Sequence, residues 1–182
     1  MSHTSDDKGK DSQAEQTSKP EPPQSTDNSK KSTDSETQPS SQALEEKQKG
    51  NEAYKKKDFT TAHLHYDKAI ELDPTDITFR NNKAAVYFEQ KDYDKCIEVL
   101  EEAITIGREN RADYTLIAKA LTRAGKAYLK KEDDYNALRY LNKSLSEHLT
   151  TETQKLCDEV DQRMKEKERL TYTSGNEHFK KA

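Results

Sequence analysis

The sequence predicts an all-α fold in which three stacked helix pairs and a capping helix follow a disordered N-terminal tail. From Ala43 onward, apolar residues recur at intervals of three and four, and strand-like alternation is absent. The same order of small and large residues returns after 34 residues, which indicates a repeat. Only 30% of the 182 residues are hydrophobic and 36% are charged, so one folded domain with a polar extension fits the composition.

The tail, residues 1–42, consists almost entirely of polar residues and prolines. Met1 and Ala14 are its only members of the hydrophobic set. Such a segment cannot bury enough apolar surface to offset the entropy lost on ordering. We therefore expect a disordered linker, within which the proline-rich stretch 19–23 is either a stiff spacer or a recognition segment.

Each repeat contains a small residue, a second small residue 12 positions later and a large one 16 positions later. Small residues let two crossing helices approach closely, and large ones fill the gap to the next repeat. The second interval is 41 residues rather than 34, so we expect longer helices around 104–118. The three sets are Gly50, Ala62 and Tyr66; Ala84, Cys96 and Leu100; and Gly125, Ala137 and Leu141.

After the third repeat, Leu156, Val160 and Met164 lie four residues apart among charged residues. This pattern predicts a helix with one apolar face, which would cap the repeats and end the folded part, 43–170. Residues 171–182 then restate the opening of the first repeat. We expect them to begin a further, truncated repeat, with a frayed helix end as the alternative.

The first helices of the three pairs carry polar residues at spacings that would place them in one groove. Like charges gathered in a groove repel one another, and a bound anion relieves this repulsion. Lysine and arginine supply charge-assisted hydrogen bonds to a carboxylate, and asparagine supplies neutral donors. A solvated helix face is the alternative for any one residue taken alone. The candidate residues are Lys47 and Asn51 on the first helix, Asn82 on the second, and Lys119 and Arg123 on the third.

These five residues resemble the dicarboxylate clamp of tetratricopeptide-repeat co-chaperones, which hold the C-terminal Glu-Glu-Val-Asp of cytosolic heat-shock chaperones. The stretches 50–59, 84–88 and 107–114 are similar to the middle repeat domain of the organising co-chaperones that link heat-shock proteins 70 and 90. The resemblance implies an adaptor that binds the C-terminal peptide of heat-shock protein 90, with heat-shock protein 70 as the alternative partner.

The resemblance also implies side-chain contacts with the residue that precedes Glu-Glu-Val-Asp. Tyr54 and Glu89 match the family positions beside that residue, although a core aromatic and a surface carboxylate are equally good interpretations. At Leu116 and Lys126 the sequence departs from the polar residues of the family's groove. We expect these two positions to alter peptide selectivity and to leave the clamp intact.

Other functions have little support in the sequence. No apolar run is long enough to span a membrane, no secretory signal opens the chain, and a net charge of -4 disfavours nucleic acid. Motifs for catalysis, cofactor binding or metal ligation are absent, and Cys96 occupies a packing position. We expect a monomeric, non-enzymatic protein without cofactor or metal, in the cytoplasm or in both nucleus and cytoplasm. The alternative is the chaperone-targeting arm of a truncated enzyme, such as a phosphatase or prolyl isomerase.

Overall fold

The computed structural model describes residues 41–180, with side chains through Tyr172. This part of the chain forms seven α-helices and no strand, so the all-α prediction is confirmed. The disordered linker expected over 1–42 lies outside the described residues, except for its last two positions. The helices are α1 Ser41–Lys55, α2 Phe59–Leu72, α3 Ile77–Glu89, α4 Tyr93–Glu109, α5 Tyr114–Lys130, α6 Asp134–Glu147 and α7 Thr151–Lys180.

The helices pack in chain order as three antiparallel pairs, with α7 against α6. The first helices also touch one another, because α3 contacts both α1 and α5. The longer helices predicted around residues 104–118 are confirmed, since α4 and α5 have 17 residues each while α2 has 14 and α3 has 13. No helix of the described part has a stretch long and apolar enough to cross a membrane.

The 16-residue spacing marks the crossing of the two helices in a pair. A Cβ atom added to Gly50 would lie 2.7 Å from the ring of Tyr66, and one added to Gly125 would lie 2.8 Å from Leu141. Both large side chains are fully buried. Glycine is therefore required by the close approach of these helices, not by its backbone freedom.

We expect Gly50→Ala to lower the free energy of unfolding by about 1–3 kcal/mol, because the new methyl group forces the buried Tyr66 ring to move. Urea denaturation followed by circular dichroism measures this loss. Gln48→Ala, on the exposed side of the same helix, is the matched control and should change stability by less than about 0.5 kcal/mol. Equal stability of the two variants would contradict the crossing described above.

Aspartate begins five of the helices, and each carboxylate accepts a hydrogen bond from a backbone N–H of the first turn. Four of the preceding turns contain a non-glycine residue with φ between 54° and 63°, the left-handed conformation that ends a helix tightly. The connections are short for this reason, and the partner helices fold back against each other. The capping residues are Asp58, Asp76, Asp92, Asp113 and Asp133.

The ends of the domain differ slightly from the boundaries taken from the pattern. Helix α1 begins at Ser41, two residues before Ala43, because Ala43 is the first side chain that packs inward, not the first helical residue. Helix α7 runs without a break past Leu170 to Lys180. Gly175 does not end it, since a glycine inside a helix costs only about 1 kcal/mol. That residues 171–182 begin a further repeat stays a prediction.

Helix α7 caps the third pair through an apolar contact and an ionic one. Val160 and Cys157 are buried against Leu141, on the face that the four-residue spacing predicts. On the ionic side, the buried carboxylate of Asp134 accepts hydrogen bonds from Arg163 and, at 2.7 Å, from Lys167. These two cations hold the pKa of Asp134 below its ordinary value of 3.8, against the opposing effect of burial.

Because the pKa of Asp134 is lowered by folding, its carboxylate stabilises the fold above about pH 4, and this contribution is lost as pH falls through the lowered pKa. We expect Asp134→Asn to cost about 1–3 kcal/mol at pH 7 and almost nothing near pH 2. Thermal unfolding between pH 2 and pH 7 measures the difference. The exposed Asp158→Asn serves as control, and a pH-independent loss in Asp134→Asn would contradict the ionic contact.

Candidate functional site

A groove of about 880 Å³ runs along α3 and α5 to the start of α7. Three of the five predicted binding residues line it, namely Asn82 from α3 and Lys119 and Arg123 from α5. Lys47 and Asn51 of α1 are not part of this lining. Asn51 is nevertheless joined to the groove, because its side chain is bonded directly to Asn82.

The side-chain amide of Asn51 is held in one orientation by two hydrogen bonds to its oxygen. Tyr66 Oη donates to Asn51 Oδ1 at 2.8 Å, and Asn82 Nδ2 donates to the same oxygen at 3.2 Å. With its acceptor occupied in this way, the amide has the two N–H groups of Nδ2 left to donate. Within residues 41–172 these N–H groups have no acceptor, so Asn51 can donate to a ligand.

Arg123 is a half-buried cation without a carboxylate partner. Its guanidinium donates to the backbone oxygen of Asn81, and burial lowers its pKa from the ordinary value of 12.5. The side chains that oppose this lowering of the Arg123 pKa are Cys96, Tyr54 and Tyr66, and none of them is a carboxylate. No Asp or Glu of the described residues forms an ion pair with Arg123, so a half-buried positive charge faces the groove without an anion.

The two lysines of the predicted cluster are also without acidic partners. Lys47 is half-buried one turn before Asn51, and Lys119 is exposed one turn before Arg123. Neither forms an ion pair with any acidic residue that the structure describes. Lysines elsewhere in the fold do pair across helices, as Lys83 does with Asp67 at 2.5 Å. The helices therefore bring Asn82, Lys119 and Arg123 to one groove, with Asn51 bonded to Asn82 and Lys47 one turn before Asn51 on α1.

Tyr54 is half-buried on α1 and interacts electrostatically with Glu89 and Arg123. Burial raises the pKa of the Tyr54 hydroxyl, the negative charge of Glu89 raises it further, and Arg123 opposes both effects. The ring of Tyr54 is 6.4 Å from that of Phe59 and packs on the core around Val86. Tyr54 thus has the contacts of a core aromatic, while the charges of Glu89 and Arg123 act on its hydroxyl.

Two residues that support the cluster were not predicted from the sequence. Asn81 is buried, its backbone oxygen holds Arg123, and its Nδ2 donates to the backbone oxygen of Leu116 at 3.2 Å. The second is Tyr66, which the repeat assigned to packing only, although its hydroxyl also orients Asn51. The one available signal was the doubled asparagine at positions 81 and 82, which places an amide on the inner side of α3.

Hydroxyl side chains close the far end of the groove. Thr122 Oγ1 lies 2.7 Å from Ser144 Oγ and 3.3 Å from Thr153 Oγ1, and Ser144 donates to the backbone oxygen of Ala118 at 2.9 Å. These bonds link α5, α6 and α7, and all three hydroxyl residues line the groove. The network fixes the position at which α7 begins relative to α5.

Comparisons with known proteins agree with the repeat. A family model described as tetratricopeptide repeat matches residues 76–146, and a second, described as TPR repeat, matches residues 50–91. A relative from Caenorhabditis elegans, stress-induced-phosphoprotein 1, is 51% identical over an alignment of 149 residues, and the match covers 76% of this chain and 47% of the relative. The chain spans between about a quarter and about a half of the curated relatives it matches.

Two solved structures are similar over most of the helical part. The N-terminal domain of stress-induced protein-1 from C. elegans is 55% identical and has a TM-score of 0.62, with 65% of this chain and 94% of that domain covered. The TPR2AB domain of yeast Sti1, solved as a pHSP90 complex, is 40% identical with a TM-score of 0.69. That match covers 71% of this chain and 50% of the yeast chain.

Proposed function

Because this chain belongs to the tetratricopeptide-repeat family of Sti1-type stress-induced proteins, we propose that its groove binds the C-terminal Glu-Glu-Val-Asp peptide of heat-shock protein 90. The chain acts as a co-chaperone adaptor module. The terminal aspartate offers two carboxylates, one from its side chain and one from the chain end. Lys47, Asn51, Asn82, Lys119 and Arg123 hold these carboxylates.

The unpaired charge of Arg123 is the observation that carries the proposal. A half-buried guanidinium bonded only to a backbone oxygen is electrostatically incomplete, because burial disfavours a charge that no counter-ion balances. A peptide carboxylate would supply that counter-ion. It would also accept hydrogen bonds from the N–H groups of Asn51, whose oxygen already accepts two hydrogen bonds.

The choice of partner rests on the solved relatives. The yeast Sti1 structure is described as a pHSP90 complex and is 40% identical to this chain, which favours heat-shock protein 90. Heat-shock protein 70 is the alternative, and peptides from the two chaperones tested side by side decide between them. Tyr54 and Glu89 of this chain contact the peptide residue that precedes Glu-Glu-Val-Asp. We further propose a cytoplasmic location and no catalytic activity.

Fluorescence anisotropy of a labelled Met-Glu-Glu-Val-Asp peptide tests the proposal. We expect the free acid to bind with a Kd in the micromolar range, about -8 kcal/mol, and the C-terminal amide to bind at least about tenfold more weakly. Salt should weaken the binding of the acid, because the attraction is partly Coulombic. Equal affinity for acid and amide would contradict a site that recognises the terminal carboxylate.

A further inference from the structure

A third cation extends the basic face of α5 beyond the two predicted residues. Lys119, Arg123 and Lys126 are spaced four and then three residues apart, so they lie on the same side of the helix. All three line the groove. Unlike the other two, Lys126 already has an acidic partner.

That partner is Glu152, at the beginning of α7. Lys126 Nζ lies 2.9 Å from Glu152 Oε1, and both residues line the groove. The side chains are 42% and 79% exposed, respectively. An ion pair this open to water contributes only about 0–1 kcal/mol, so it can be exchanged for another pair at little cost.

The spacing along α5 defines which peptide residue would meet Lys126. Seven residues separate Lys119 from Lys126, which corresponds to about 10 Å along the helix. A peptide in extended conformation covers the same distance in about three residues, at about 3.3 Å per residue. For a peptide that runs along α5 from Lys119 towards Lys126, with its terminal aspartate held at Lys119 and Arg123, the residue beside Lys126 is the one three positions earlier.

We propose that Lys126 recognises an acidic residue three positions before the terminal carboxylate, and that Glu152 occupies Lys126 until this residue displaces it. The proposal rests on the peptide-binding function given above and adds a selectivity determinant to the same groove. In Glu-Glu-Val-Asp, the recognised residue is the first glutamate. The ion pair between α5 and α7 is thus an internal competitor that only an acidic peptide displaces without loss.

The test measures coupling between Lys126 and that glutamate. Binding of Met-Glu-Glu-Val-Asp is compared with binding of two peptides in which either the first or the second glutamate is replaced by glutamine. We expect the first replacement to weaken binding to the wild type about threefold to fivefold. Lys126→Met should bind the parent peptide and the peptide with glutamine in place of the first glutamate (the first-glutamine peptide) with equal affinity. Lys130→Met, which removes an exposed charge one turn further along α5, should retain the full difference.

The role of Glu152 is tested with the same peptides. Glu152→Gln should bind the parent peptide about twofold to threefold more tightly than the wild type does, with no gain for the first-glutamine peptide. The exposed Glu159→Gln on α7 controls for the change in net charge.

Two outcomes would overturn the proposal while leaving the peptide-binding function intact. In one, Lys126→Met lowers the affinity for all three peptides by the same factor. In the other, Lys126→Met removes the affinity difference caused by replacing the second glutamate instead of the first. In both cases the free acid would still bind the wild type better than the amide. If the acid does not bind at all, the proposed function fails, and the role of Lys126 fails with it.

Discussion

Replacing Arg123 with alanine is expected to weaken binding of the free-acid peptide by about 30- to 150-fold, or about 2–3 kcal/mol. Arg123 is a half-buried cation that no carboxylate of the described residues balances, and removing it leaves a peptide carboxylate in the groove without that counter-charge. Anisotropy titration measures the loss. The variant should remain folded, because the group to which Arg123 donates among the described residues, the backbone oxygen of Asn81, belongs to an intact helix.

A second variant at this position separates the effect of charge from that of geometry, and an arginine on another helix serves as the control. Arg123→Lys keeps the positive charge but loses the planar fork that binds a carboxylate at two points, so we expect an intermediate loss of about tenfold. Arg139→Ala removes an exposed arginine on α6 and should bind the peptide like the wild type. An unchanged affinity of Arg123→Ala in a folded protein would remove the main support for the proposed function.

Asn51→Asp is expected to have an effect at least as large, about 100-fold or more, without unfolding the protein. An aspartate at this position keeps the two oxygen-acceptor bonds from Tyr66 and Asn82. It replaces the two N–H donors of Nδ2 with a negatively charged oxygen, which repels a carboxylate of the ligand. Like charges placed against each other across an interface cost several kcal/mol. Anisotropy with the acid peptide measures the loss, and thermal unfolding verifies that the fold is retained.

The exposed Asn142→Asp on α6 is the matched control for this charge change and should leave peptide affinity unchanged. Since Asn51→Asp is nearly isosteric, a loss of binding cannot be assigned to a cavity or to repacking. Peptide affinity that survives Asn51→Asp would mean that Asn51 does not donate to the ligand.

The fold was predictable because the close approach of two helices imposes a spacing on the sequence. A Cβ at Gly50 would overlap the Tyr66 ring, so small and large residues must recur 16 apart wherever helices cross in this way. The longer α4 and α5 followed from the longer second interval for the same reason. The start of α1 was less predictable, since periodicity detects buried residues and not the helical residues that precede them.

The candidate site was predictable in its charged residues and not in their support. Helical spacing alone places Lys119 and Arg123 on one face of α5. The backbone oxygen of Asn81 that holds Arg123 has no signature in the sequence, because every residue carries the same carbonyl group. The pair between Lys126 and Glu152 joins residues 26 apart through the packing of α7, near whose start Thr122, Ser144 and Thr153 are hydrogen-bonded to one another.

The most direct measurement compares the acid-to-amide affinity ratio of the Met-Glu-Glu-Val-Asp peptide in the wild type and in Asn51→Asp. If the groove recognises the terminal carboxylates, the ratio should be at least about tenfold in the wild type and should fall to about one in the variant, since the new aspartate repels the chain-terminal carboxylate, which the amide lacks. The same ratio in both proteins would contradict recognition of a peptide carboxylate by the groove formed by α1, α3 and α5.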